Sequence, residues 1–190
     1  MGVSLAHPAQ GATDWFNDVD GNWSTLEDEF VARLSSDASE VSFTGTTAET
    51  ALMANATIPA NALGVGTVLV PWAAGYLTIP ANSTPSVTFR LRWGGITGTV
   101  LVSFTWNFAS NPSAYDMPWV HDYRIVGVST GATGSCSVQG WAGMWTSYNV
   151  SYITANTTID TTGAVTLLWT AQPSLSTVTV RQRLMIVNQG

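Results

Sequence analysis

A chain of 190 residues with 45% apolar and only 9% charged residues, a net charge of −6 and no lysine is long enough to bury its own core without disulfides or metals. It lacks the clustered positive charge that nucleic acid requires. Its single cysteine, Cys136, excludes an internal disulfide, and no apolar run approaches the roughly 20 residues of a helical membrane span.

The charge is unevenly placed. Residues 1–49 hold nine of the twelve acids against Arg33 alone, while the remainder holds three acids against five arginines. This acidic arm suits docking on a basic protein surface, or simple solvation. The start, M-G-V-S-L-A-H-P, has neither a basic segment nor a long apolar run, so no signal peptide is expected. Residues 1–22 carry Pro8, glycines and Asp-rich turns and are read as an extended arm. Ser24-Thr25-Leu26-Glu27 then forms a capping box, with Glu27, Asp28 and Glu29 in the first helical turn where the helix dipole favours acids. Trp23, Leu26, Phe30 and Leu34 fall on one stripe of a short helix over about 24–35. So short a helix needs packing on the body or on copies of itself. Residues 1–49 are therefore expected to be an anchoring or oligomerising arm, and 50–190 a β domain.

Ser36–Ala48 reads as a linker with one short strand at Glu40–Phe43. Strict alternation in Ser86–Trp93 puts Val87, Phe89, Leu91 and Trp93 on one face and Thr88, Arg90 and Arg92 on the other. Further strands are expected at Ala51–Ile58, Thr67–Ile79, Thr99–Trp106, Val120–Ser129, Ser135–Trp145, Tyr148–Thr154, Ala164–Thr170 and Thr177–Val187, separated by Gly, Pro and Asn turns. Pro71 points to an edge or a bulge in the second body strand. No helical pattern separates the strands, so the body is an antiparallel sandwich of jelly-roll type. Val68-Leu69-Val70 and Leu167-Leu168-Trp169 are apolar on both faces. Strands covered on both sides imply self-association.

Candidate chemistry is sparse. Gly127-Val128-Ser129-Thr130-Gly131 matches the G-x-S-x-G nucleophile pattern, but no histidine follows Ser129 and a turn rather than a helix comes next. Asp116, His121 and Asp122 are close in sequence, yet neighbours on a strand send their side chains apart, and satisfied strand and loop residues are expected. Asp18, Asp20, Gly21, Ser24 and Glu27 fit part of a calcium-loop pattern whose first ligand position is Phe16, which cannot ligate. Two histidines and one cysteine offer no zinc spacing. No catalytic residue, metal or cofactor is expected, and Cys136 is read as a small apolar core residue. The aromatics in the middle of the chain are expected to serve packing. The segment Asn107–Pro118 reads as an exposed loop where Trp106, Tyr115 and Trp119 are the candidates for touching a ligand such as a glycan.

Three segments carry a family resemblance. Ala56-Thr-Ile-Pro-Ala-Asn-Ala-Leu-Gly-Val-Gly-Thr67, then Thr88-Phe-Arg-Leu-Arg-Trp-Gly-Gly95, then Trp119 to Gly140 with Gly131-Ala-Thr-Gly-Ser135 occur in the order seen in jelly-roll domains of tailed-bacteriophage virion proteins. Over about residues 50–187 the chain resembles these. The resemblance implies a homotrimeric, tumour-necrosis-factor-like jelly roll in a virion assembled in the host cytoplasm, with no enzymatic residues to carry over. The short arm leaves no room for a fibre shaft, which favours a capsid decoration (cement) protein or short head fibre docked on the major capsid protein or another virion protein. The alternative is a tail-fibre knob or carbohydrate-binding module recognising host-surface glycans.

Overall fold

The computed structural model describes residues 32–144 and 150–190. Twelve strands run in chain order through these: β1 (Ala32–Asp37), β2 (Val41–Phe43), β3 (Thr50–Ile58), β4 (Val68–Ile79), β5 (Ser86–Trp93), β6 (Thr99–Asn107), β7 (Tyr115–Ser129), β8 (Gly134–Met144), β9 (Val150–Ile153), β10 (Thr157–Ile159), β11 (Val165–Pro173) and β12 (Thr179–Gln189). No helix occurs among the described residues. The larger sheet has the order β1-β12-β4-β7-β8-β10, with β2 also on β12 and β9 also on β8; the smaller sheet is β3-β11-β5-β6. Every pairing is antiparallel. The fold is an all-β, jelly-roll-like sandwich.

The period-two pattern of β5 shows how the sequence builds it. Val87, Phe89, Leu91 and Trp93 are buried, and the intervening Thr88, Arg90 and Arg92 are half-buried on the other face. Gly94 and Gly95 end the strand at φ +97° and +81°, a conformation that side chains with a Cβ resist. The inward faces of both sheets merge in one core, where Leu69, Ala73 and Leu77 of β4, Tyr123 and Ile125 of β7 and Met185 and Val187 of β12 meet Leu52 of β3, Phe89 and Leu91 of β5 and Trp169 of β11. Gly75 leaves no room for a side chain: a Cβ there would collide with the Arg181 carbonyl and the Trp119 ring.

Three expectations shift. Leu34, placed on a helical stripe, lies in β1, at the point where the pairing with β12 skips from Arg33–Asn188 to Ser35–Val187. The edge of β12 offers residues 32–37 a hydrogen-bonding ladder that local helical spacing cannot register. Trp23, Leu26 and Phe30 lie outside the described residues, as do the calcium-loop positions. Secondly, β1 and β2 both pair with β12, so residues 32–37 and 41–43 are strands of the body and the boundary at 49/50 falls inside the sandwich. Thirdly, Pro71 sits in a central strand between β12 and β7. The pairing with β7 passes from Leu69–Ile125 directly to Trp72–Asp122, so the residue without an N–H falls in a gap of the ladder.

Candidate functional site

The aromatic residues expected near a ligand loop lie largely inside. Trp106, near the end of β6, is 5% exposed and Trp119 on β7 is 2% exposed, while Tyr115 packs against the core from the first position of β7. The loop is shorter than expected because β7 begins at Tyr115, pairing with Ile79. Trp106 is set opposite Val87 on β5, whose inward position the alternation already marks. These tryptophans therefore cannot form a ligand-facing surface.

They instead build an aromatic centre between the sheets, with His121 in its middle. His121 is 0% exposed, and its ring centroid lies 4.6 Å from Trp119, 4.7 Å from Trp169, 4.9 Å from Phe89, 5.0 Å from Phe104, 5.6 Å from Trp106 and 6.3 Å from Tyr123. Neither imidazole nitrogen has a hydrogen-bond partner among the described residues. Burial holds its pKa well below the ordinary histidine value, because the charged ring would be stripped of water. The expectation of a satisfied strand histidine is thus corrected: the strand is right, but the imidazole is left without partners.

Alternation separates His121 from its sequence neighbours. Asp122 faces outward and lies 3.8 Å from Arg124, and Asp116 accepts a hydrogen bond from the Thr78 hydroxyl. No acid–imidazole pair forms. The Ser129 hydroxyl shares a hydrogen bond of 2.8 Å with that of Ser135, across the hairpin between β7 and β8. Cys136 is buried, and burial pushes its thiol up to about 11, which disfavours the reactive thiolate. No group of three or more His, Cys, Asp or Glu suited to a metal occurs among the described residues.

The outer faces of the two sheets differ. On the smaller sheet, Glu49 is held by both arginines of β5: Arg92 Nε donates to Oε1 at 2.6 Å and Nη2 to Oε2 at 2.8 Å, while Arg90 Nη1 donates to Oε2 at 3.0 Å. The Thr170 hydroxyl also donates to Oε1. Arg90 Nη1 reaches Gln172 Oε1 at 3.0 Å, and Arg92 Nη1 the Gly98 carbonyl at 2.9 Å. Partial burial pushes the Glu49 carboxyl up, but the hydrogen bonds from Arg92 and Thr170 and the charges of Arg90 and Arg92 outweigh it, and the carboxyl titrates below its ordinary range. This network fastens the entry to β3 across β11 and β5. Sequence reading placed Glu49 in the acidic arm, since nothing local signals partners more than 40 residues away.

The larger sheet presents an apolar tract. One cross-strand row runs Ile186–Trp72–Asp122–Trp141, and the next runs Leu184–Ala74–Val120–Gly143. Trp72, Ala74, Val120, Leu184 and Ile186 are half-buried, whereas Tyr76 and Trp141 are each 36% exposed. Arg183 lies over the Tyr76 ring at 5.0 Å and pairs with Glu40 at 2.7 Å. The signal for this tract was present in the two-sided apolar character of Val68-Leu69-Val70, which continues in β4 as Trp72, Ala74 and Tyr76.

No family model and no curated protein matches the chain. Among solved structures, the chain is similar to the VP2 subviral particle of infectious bursal disease virus, at 12% identity and a TM-score of 0.32 over 83% of this chain and 31% of that one. The Gx strain of the same virus gives 11% identity and a TM-score of 0.23, over 84% and 40% respectively. The chain thus spans about a third of the length of these proteins, and likeness of this size assigns no role.

Proposed function

We propose that the chain is a non-enzymatic structural protein of a virus particle, a self-associating jelly roll of the tailed-phage type that acts as a capsid decoration protein or short head fibre. The observation that carries the assembly role is the apolar tract on the outside of the larger sheet, centred on Trp72 and Ile186. Soluble monomers keep contiguous exposed apolar patches small, and larger ones mark association sites. A chain without lysine and with 9% charged residues has little with which to keep such a face wet. The ordered motifs that resemble those of phage jelly rolls support the virion context and the threefold state, and the seven acids of residues 1–37 support docking on a basic shell protein. The absence of catalysis from this reading rests on the dispersal of the titratable groups: Asp116 and Asp122 are kept apart from His121, and Ser129 is bonded to Ser135.

Sedimentation of the full chain at micromolar concentration is expected to give a mass of three copies. Adding it to undecorated shells of its own virus is expected to raise the temperature at which they come apart. A single-chain mass together with indifference to shells overturns the proposal.

A further inference from the structure

The aromatic centre joins the sheets through one titratable ring. Trp119, His121 and Tyr123 enter it from the larger sheet on β7, and Phe89, Phe104, Trp106 and Trp169 enter it from the smaller sheet on β5, β6 and β11. His121 touches members of both sets. Its cross-strand neighbours are Ala73 on β4 and Ala142 on β8, neither of which can accept a proton or a hydrogen bond through its side chain.

We infer that His121 is an acid-sensitive latch: as a neutral ring it fills the seam between the sheets, and once protonated it forces them apart to reach water. An imidazolium carries two N–H donors and a positive charge, and neither ring nitrogen of His121 has a hydrogen-bond partner among the described residues. The facing rings attract a cation through their π faces, but they accept no strong hydrogen bond. Among the described residues, Tyr123 is the one titratable group facing it, with ring centroids 6.3 Å apart. Arg90 and Arg92 of β5 lie on the opposite face of the smaller sheet, bonded to Glu49. Asp116, Asp122 and Arg124 of β7 lie on the outside of the larger sheet, as do Arg181 and Arg183 of β12. β4, β6 and β11 carry no charged residue, and β8 carries only the buried thiol of Cys136. Among the described residues of these elements, no acidic side chain faces the ring to compensate the proton.

The sign follows from linkage. The unfolded chain binds a proton at His121 near pH 6.5 and the folded chain resists it, so the contribution to stability is fully present above that pH and is lost as the pH falls below it. Glu49 and Asp160, both with lowered pKa values, act only below about pH 4.5 and 3.8, which, among the described groups with a shifted pKa, leaves pH 5–6.5 to the histidine.

The test is urea unfolding of the full chain and of a His121→Phe variant at pH 8, 6.5 and 5, followed by tryptophan emission. The native folding constant is expected to fall about 30-fold between pH 8 and pH 5, while that of the variant stays within about threefold; His7, common to both, cancels. Should His121→Phe not fold, the imidazole nitrogens of the native chain, assigned with a His7→Ala variant, decide by NMR. His121 is expected to stay neutral in the folded state at pH 5.5. A parallel loss in His121→Phe, or an imidazole titrating near pH 6.5 inside an intact fold, overturns the inference.

Discussion

The outer faces of the two sheets use the same strand geometry to opposite ends. On the smaller sheet every outward charge is answered from within the chain, because Arg90 and Arg92 close on Glu49 and are supported by Thr170, Gln172 and the Gly98 carbonyl. On the larger sheet Asp122 pairs with Arg124 and Arg183 with Glu40, but beside them stand Trp72, Ala74, Val120, Leu184 and Ile186, side chains that gain nothing from water and leave apolar area to be covered. A face whose polar groups are mutually satisfied is complete in a single copy. A face of half-buried aliphatic and aromatic side chains is, on the proposed reading, completed by a partner. Under that proposal, fold stability belongs to one surface and association to the other.

The largest effect that follows is on association. Trp72→Asp places an unpaired carboxylate in the centre of the apolar tract, beside Asp122, and is expected to weaken self-association by about 2–4 kcal/mol, roughly 30- to 1,000-fold in the dissociation constant. Sedimentation across a concentration series measures it. Ile186→Asp, one strand away, is expected to act alike, and both variants keep a cooperative unfolding transition because the side chains face away from the core. An unchanged mass in both variants would move the interface elsewhere and remove the contrast between the faces.

The second effect falls on the fold. Glu49→Gln leaves two arginines half-buried without their carboxylate and is expected to destabilise the chain by about 1–3 kcal/mol, read as a lower urea midpoint with no change in the mass of the assembly. Its pH dependence has a definite sign. The folded carboxyl titrates below the unfolded value of 4.5, so its contribution is present above pH 4.5 and disappears as the pH falls through the lowered folded value. The variant should lack that acid limb. Equal midpoints for both proteins at pH 7 would show that the network contributes nothing net.

How much of this is readable from sequence depends on the range over which each feature is encoded. β5 is legible residue by residue, because alternation is a local signal and Ser86–Trp93 is both the expected and the observed strand. β10, only three residues long, has no pattern to read, and the first residues of β7 were hidden by Asp116 and Pro118, which resemble a loop. β1 was masked by a competing local signal, a well-formed capping box just upstream, whereas the strand depends on β12, some 150 residues later in the chain. The inward facing of Trp106 could have been deduced from its parity with Phe104 and its place opposite Val87. The His121 cage and the Glu49 network could not, since each gathers residues from strands that become neighbours only after both sheets form.

The smallest effect separates polarity from pairing on the finished face. Thr88 and Thr105 face each other across β5 and β6, and their hydroxyls share a hydrogen bond of 2.8 Å. Thr105→Val removes that bond while keeping the β-branched shape that suits a strand. Both hydroxyls are exposed, so water replaces the lost partner and the cost is expected to stay below about 0.5 kcal/mol. Mass and shell binding should not change, because one added methyl among Arg90, Arg92 and Gln172 makes no contiguous apolar patch. A Thr105→Val protein that gained mass would mean that the polar face, too, meets a copy, and that satisfied charges do not by themselves keep a sheet face free.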